Sequence, residues 1–135
     1  MAKLEWNSTL SVDNAQIDDQ HKELIRIANG LLNAIAIGRG KRTLSNVLTK
    51  LREYTVYHFA CEEQIMEDER YPYRGKHSNE HANLKRQVKD FQQQLFRQEE
   101  ITYELVLSFL KSWLLEHILM DDRELAKFIQ EKKNG

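Results

Sequence analysis

The chain has 135 residues, of which 41% are hydrophobic and 30% are charged, and its formal net charge is -1. This length fits one domain with a sizeable core, and the balanced charge excludes the basic surface of a nucleic-acid-binding protein. No apolar run is long enough to cross a membrane, and the first residues lack the apolar stretch of a signal peptide. The single cysteine, Cys61, has no disulfide partner in the chain, which is typical of a reducing compartment. We therefore expect a cytoplasmic protein that is not inserted in a membrane.

Hydrophobic residues recur at helical spacing along most of the chain, whereas proline occurs once and glycine five times. An N-terminal arm over 1–17 carries Trp6, Leu10 and Val12, which are expected to pack against the helices. The first predicted helix spans 18–37, and the second runs from near 43 to a break at 71–75. The third spans 76–97, and the fourth runs from beyond a weakly marked turn at 98–100 to 122. A short amphipathic helix with a tail follows over 123–135.

This pattern predicts an all-α fold. Four long helices joined by short connections favour an antiparallel up-down four-helix bundle. With about 20 residues in each helix, the bundle would be roughly 30 Å long. We thus predict a single domain over 1–135, with the arm at 1–17, the four-helix bundle at 18–122 and the C-terminal helix and tail at 123–135.

The histidines fall on the apolar faces of these predicted helices. One buried histidine is usually satisfied by an ordinary hydrogen-bond partner, and for one residue that interpretation would be preferred. Five imidazoles spread over four helices are harder to explain in this way, because each buried polar group without a partner costs free energy. A metal ion would remove that cost by accepting the nitrogen lone pairs. The five residues are His21, His58, His77, His81 and His117.

A carboxylate accompanies them on the second predicted helix. Glu62 lies four residues after His58, so that both side chains project from one helix face. Its neighbour Glu63 is interpreted as a solvated residue, and Glu62 alone would also allow that interpretation. On an apolar face, however, a carboxylate is costly unless it is paired or binds a metal.

A second carboxylate follows His117, and two residues compete for that role. Asp121 lies four residues after His117 and shares its face on a regular helix, whereas Asp122 lies five residues after it. Asp122 can point the same way only if the helix ends or distorts there, for instance through a wide turn.

Five imidazoles and two carboxylates exceed the four ligands of a tetrahedral zinc site. Seven ligands suit two metal ions that share bridging carboxylates, and this donor set suits iron or manganese better than a metal that prefers thiolates.

The spacing of these residues resembles the hemerythrin family, and its single-domain bacterial members in particular. The resemblance covers nearly the whole chain and is specific because its motifs occur together in this order. The motifs are Ile-Asp-Asp-Gln-His at 17–21, His-Phe-Ala-Cys-Glu-Glu at 58–63, His-Ser-Asn-Glu-His at 77–81 and Trp-Leu-Leu-Glu-His-Ile-Leu-Met-Asp-Asp at 113–122.

The resemblance implies a cofactor of two iron ions, Fe²⁺ or Fe³⁺, with an oxo or hydroxo bridge from solvent. One iron would be held by His77, His81 and His117. The other would be held by His21 and His58, which leaves it a position for dioxygen. Glu62 and Asp122 would bridge the two ions, so the resemblance favours Asp122 over Asp121.

The resemblance further implies reversible dioxygen binding without turnover, for oxygen storage, transport, delivery or buffering, with any oxygen-consuming partner enzyme unknown. The alternative is a di-iron enzyme or a protein that responds to oxygen, nitric oxide or iron; a ferritin-like oxidase is disfavoured because paired Glu-x-x-His motifs are absent. The oxygen pocket would have apolar walls, although the same residues are also typical of an ordinary core. The expected wall residues are Leu24, Phe59, Trp113, Leu114 and Ile118.

Overall fold

The computed structural model describes residues 3–97, 102–115 and 117–134, without the side chains of 118 and 119. Within these ranges the chain is helical and contains no β-strand, which confirms the predicted all-α class. The α-helices are α1 (Ala15–Ala36), α2 (Lys41–Asp68), α3 (Arg74–Arg97), α4 (Tyr103–Leu110) and α5 (Arg123–Asn134). A 3-10 turn spans Ser8–Leu10, and π-helical segments span Lys111–Leu115 and Ile118–Asp122.

Four helical columns form the bundle: α1, α2, α3, and α4 together with the π-helical segments that follow it. α1 packs against α2 and α4, and α2 packs against α3. The expected turn at 98–100 lies outside the described residues. No helix of the described chain is long and apolar enough to span a membrane.

Local signals set the first helix slightly earlier than the hydrophobic pattern suggested. α1 begins at Ala15 rather than near residue 18, because the Asn14 side chain caps it by accepting a hydrogen bond from the Ile17 backbone N–H at 3.0 Å. It ends at Ala36, and Gly38 takes a left-handed conformation with φ of 77° in the connection that follows.

The starts of α2 and α3 lie about two residues before the predicted ones. α2 begins at Lys41 rather than near residue 43. α3 begins at Arg74, so that Gly75 lies inside the helix rather than in the predicted break. Pro72 lies just before this start, where its missing N–H and its fixed φ do not remove a hydrogen bond from the helix.

The N-terminal arm packs onto the bundle as expected. Leu10 and Val12 are buried, and Trp6 lies partly buried against the core. Hydrogen bonds also tie the arm to α1: the Leu4 N–H donates to the Asn29 side chain at 2.9 Å, and the Asn29 amide donates to the Leu4 carbonyl at 2.7 Å.

A buried polar layer separates two apolar clusters along the bundle. The larger cluster includes Leu24 and Phe59, and the smaller one includes Ile17 and Met66. On α1 the buried His21 falls between Ile17 and Leu24, and on α2 the buried Glu62 falls between Phe59 and Met66. Apolar packing on both sides therefore fixes the helices that carry the polar layer.

Candidate metal centre

The structure brings the seven residues singled out in the sequence into this one polar layer. Each is at most 4% exposed. Their possible ligand atoms form two overlapping groups, within each of which all atoms lie within 4.8 Å of one another. One group is Glu62, His77, His81, His117 and Asp122, and the other is His21, His58, His117 and Asp122.

Helical spacing on α2 and α3 places four of these side chains. His58 and Glu62 are one turn apart, and His58 Nε2 lies 2.9 Å from Glu62 Oε1. His77 and His81 are also one turn apart, with ring centroids separated by 4.5 Å. His81 Nε2 lies 3.3 Å from the same Glu62 oxygen. Adjacent helices therefore aim their ring nitrogens at one carboxylate.

The π-helical segment Ile118–Asp122 decides between the two competing aspartates. In a π-helix, hydrogen bonds span five residues rather than four, so Asp122 returns to the face of His117. Asp122 is fully buried, and its Oδ2 lies 2.9 Å from His117 Nε2. Asp121 is partly exposed, and its Oδ2 lies 3.8 Å from the opposite ring nitrogen of His117, Nδ1. Asp122 thus lies in the layer and Asp121 lies outside it.

The two carboxylates occupy the middle of the layer. Asp122 Oδ2 lies 2.6 Å from His21 Nε2, 2.9 Å from His117 Nε2 and 3.5 Å from His58 Nε2. Its other oxygen, Oδ1, lies 3.1 Å from His77 Nε2. Asp122 therefore faces imidazoles from all four columns, which is the placement that a bridging ligand requires.

The charges of the layer depend on one another. Burial and Asp122 raise the pKa of Glu62, but His58 and His117 outweigh them and lower it to about 2. Burial lowers the pKa of His58, but Glu62 and Asp122 outweigh it and raise the pKa to about 9. The pKa of His81 is lowered, mainly by burial. Burial raises the pKa of Asp122, but His117 outweighs it and holds this pKa well below its ordinary value. Both carboxylates thus stay ionised, and a bound cation would take the place of protons held by the imidazoles.

Several buried polar atoms of this layer lack a hydrogen bond within the described part of the chain. They include His58 Nε2, His81 Nε2 and Glu62 Oε2. The short contact between His58 Nε2 and Glu62 Oε1 does not have hydrogen-bonding geometry. Unpaired buried donors and acceptors are costly, and coordination to a shared cation would satisfy them together. The donor set of imidazoles and carboxylates therefore fits iron or a similar divalent metal.

One supporting residue was missed in the sequence. Gln20 is buried, and its Oε1 accepts a hydrogen bond of 2.6 Å from His58 Nδ1. Such a bond on the outer ring nitrogen fixes the tautomer of a histidine ligand and directs its Nε2 lone pair inward. The available signal was position: Gln20 lies three residues after Ile17 and four before Leu24, on the apolar face of α1.

The predicted pocket walls surround the layer on its larger apolar side. Leu24, Phe59, Trp113 and Leu114 are at most 4% exposed. The Phe59 ring stacks on His81 with centroids 3.9 Å apart. Trp113 Nε1 donates a hydrogen bond of 3.0 Å to the Leu84 carbonyl, which holds the indole in place. The Ile118 side chain lies outside the described residues, and an oxygen pocket at these walls stays a prediction.

Cys61 is half-buried, and it does not belong to either group of possible ligands in the described chain. The layer therefore contains nitrogen and oxygen donors and no thiolate.

Fold and site together define a four-helix bundle with a candidate metal centre in its core. The family of the hemerythrin HHE cation binding domain matches residues 12–129, and the chain belongs to the hemerythrin family. A bacteriohemerythrin of Pseudomonas paraeruginosa (strain DSM 24068 / PA7) is 30% identical, over 100% of this chain and 92% of its own. A bacteriohemerythrin of Stenotrophomonas maltophilia (strain R551-3) is also 30% identical, over 99% of this chain and 86% of its own.

Solved hemerythrin structures share the fold. A wild-type hemerythrin has a TM-score of 0.81 and 27% identity, and covers 93% of this chain and 97% of its own. A variant of hemerythrin with a leucine replaced by alanine has a TM-score of 0.82 and 26% identity, and covers 95% of this chain and 98% of its own. The predicted four-helix bundle and family are therefore confirmed.

Proposed function

We propose that this protein binds dioxygen reversibly at two iron ions in the buried polar layer, and that it stores, delivers or buffers oxygen rather than turning it over. The observation that carries the proposal is the donor set: five imidazoles and only two carboxylates, all buried between four helical columns. We also propose that the seven residues of the layer are the ligands, that the metal is iron and that the protein is cytoplasmic.

The ligand roles are those that the family resemblance implies, and the proximity of the atoms in the two groups supports them. His77, His81 and His117 would hold one iron, and His21 and His58 would hold the other. Glu62 and Asp122 lie between both sets of imidazoles, and they would bridge the two irons together with an oxo or hydroxo group. When bound as a ferrous pair, the two irons would supply the two electrons that reversible dioxygen binding requires.

The charge of the layer favours carriage over oxidation. In the described part of the chain, two carboxylates offset only half of the four positive charges of a ferrous pair. Additional anionic ligands would stabilise higher oxidation states of iron, and this layer does not offer them. The residues of the chain therefore favour chemistry that stops before the O–O bond breaks.

The surrounding residues would protect that chemistry. Gln20 holds the His58 ring in one orientation through its 2.6 Å hydrogen bond. Phe59 and Leu114, both 1% exposed, exclude water from the side of the layer that faces the larger apolar cluster. Exclusion of water limits proton transfer to bound oxygen and thus slows its loss as an oxidised product.

Metal analysis and visible spectroscopy test the proposal. Protein produced with ample iron should contain two irons per chain. After anaerobic reduction, it should gain a visible charge-transfer band on exposure to oxygen and lose the band under argon, over repeated cycles. A zinc-loaded sample is the control and should stay colourless. Immediate conversion to a stable ferric form would contradict carriage, and a folded protein without metal would refute the centre itself.

A further inference from the structure

The candidate centre is closed to solvent, which raises the question of how metal ions reach it. All seven residues of the layer are at most 4% exposed. An ion that binds after the bundle has folded must therefore pass between side chains, and a site of this kind needs a path from the surface.

A crevice of about 220 Å³ reaches the layer between α3 and the π-helical part of the fourth column. Glu80 lies on the α3 side and Asp121 on the opposite side. Trp113 and His117 also line the crevice. The crevice thus connects solvent with one of the seven residues of the layer.

His117 presents an unsatisfied nitrogen on its outer side. Its Nε2 faces the layer, 2.9 Å from Asp122 Oδ2 and 3.4 Å from Glu62 Oε1. Its Nδ1 is buried and has no hydrogen-bond partner among the residues that the structure describes, and the side chain is only 3% exposed. The carboxylate nearest to Nδ1 is that of Asp121, at 3.8 Å. When a neutral His117 of the metal-free protein holds its hydrogen on Nε2, toward Glu62 and Asp122, Nδ1 carries a free lone pair beside the Asp121 carboxylate, and a cation can bind there.

The charge of the crevice favours a cation as well. Glu80 and Asp121 are both half-buried, and within the described ranges no lysine or arginine nitrogen lies within 4.0 Å of either carboxylate. With two carboxylates and at most one positive charge, that of His117, the lining of the crevice is net negative, and net negative charge in a cleft concentrates cations there and speeds their association. Carboxylate oxygens are also suitable ligands for hydrated divalent ions.

We propose that this crevice is the loading route of the centre, and that Glu80 and Asp121 bind a divalent cation, physiologically Fe²⁺, transiently before it passes His117. The inference rests on the proposed iron centre, but it assigns a second, transient cation site to residues outside the seven ligands. A transient site lowers the barrier to passage through the crevice equally for entering and leaving ions. It therefore speeds uptake and release by the same factor and leaves the affinity of the centre for the ion unchanged.

Removal of the two carboxylates tests the route. The reduced, iron-loaded protein is mixed anaerobically with an excess of a ferrous chelator, and the rate of iron release is compared between the unmodified protein and the variants Glu80→Gln and Glu80→Gln/Asp121→Asn. Uptake of Fe²⁺ by the stripped protein is followed in parallel. We expect both rates to fall, by about tenfold in the double variant, with two irons per chain and an unchanged equilibrium affinity.

Glu63→Gln is the matched control. Glu63 Oε2 lies 3.9 Å from His81 Nδ1, much as Asp121 lies from His117, but Glu63 does not line the crevice. Its removal should leave both rates unchanged. Among the described residues no ion pair joins the Glu80 side chain to His117, whereas Asp121 lies 3.8 Å from its Nδ1, so a slower rate in the single variant Glu80→Gln cannot come from loss of a contact to His117.

Unchanged rates in the double variant would overturn the route, as would an equal slowing in Glu63→Gln. Loss of iron stoichiometry in Glu80→Gln would also overturn it, because the carboxylate would then be part of the final site. These results differ from failure of the proposed function, in which the unmodified protein would bind no iron or would show no reversible oxygen band.

Discussion

The hydrogen bond between Gln20 and His58 is the structural feature whose contribution can be measured most directly. Gln20→Met keeps most of the side-chain volume but removes the acceptor of the 2.6 Å bond from His58 Nδ1. The donor would then be left unsatisfied in a fully buried position. An unsatisfied buried donor costs about 1–3 kcal/mol, and loss of an outer hydrogen bond of a metal ligand weakens metal affinity by about 10- to 100-fold.

These two ranges agree, because each 1.4 kcal/mol corresponds to a factor of about ten in affinity. We therefore expect Gln20→Met to bind Fe²⁺ about 10- to 100-fold more weakly than the unmodified protein, as measured by competition with a chelator of known affinity. Gln20→Glu is the control, since it retains an acceptor oxygen of the same reach, and it should bind at least as tightly as the unmodified protein. Equal affinity of all three proteins would refute a positioning role for Gln20.

Three other predictions concern the layer and its walls. His77→Ala should lose iron and thermal stability together, because binding to the folded state stabilises it, whereas Ser78→Ala should lose neither; an unchanged iron content in His77→Ala would refute that ligand. Leu114→Ala should lower the free energy of unfolding by about 2–5 kcal/mol and should make the iron-loaded protein autoxidise faster. Leu48→Ala is the control, because Leu48 is also buried but lies about 15 Å before His58 along α2; it should lose stability without faster autoxidation. Equal autoxidation rates in the two variants would exclude Leu114 as a pocket wall. In the metal-free protein, burial lowers the pKa of His58, but its carboxylate neighbours outweigh burial and raise the pKa to about 9. Protonation of His58 therefore adds fully to the free energy of unfolding below pH 6.5, its ordinary pKa, and this contribution is lost as the pH rises through 9. The difference in melting temperature between preloaded and metal-free protein should therefore widen from pH 6.5 to 9, and a constant or shrinking difference would contradict this coupling.

Much of the fold could be predicted from the sequence because it depends on interactions between near neighbours in the chain. Helical spacing of apolar residues, one proline and few glycines suffice to indicate four long columns and an arm. The same local geometry put His58 with Glu62, and His77 with His81, on shared faces. The boundaries were less accurate, since the Asn14 cap, rather than the apolar pattern, sets the start of α1.

The choice between Asp121 and Asp122 could not be made from regular helix geometry. A uniform helix favours Asp121, and the family resemblance pointed to Asp122 without a structural reason. The π-helical segment Ile118–Asp122 supplies that reason, because it turns Asp122 inward and leaves Asp121 at the crevice. Such a widened turn depends on what the segment packs against, and local residue preferences do not encode it.

The sequence by itself determined the helices, the inward faces and the types of donor atom available, because these follow from residue identity and spacing along one helix. Only the tertiary structure decided which atoms face one another across the bundle. The contact of Gln20 with His58 joins residues on two helices, and the crevice beside His117 lies between α3 and the fourth column. Contacts of this kind arise from the packing of whole helices, whose relative register is set by the core as a unit.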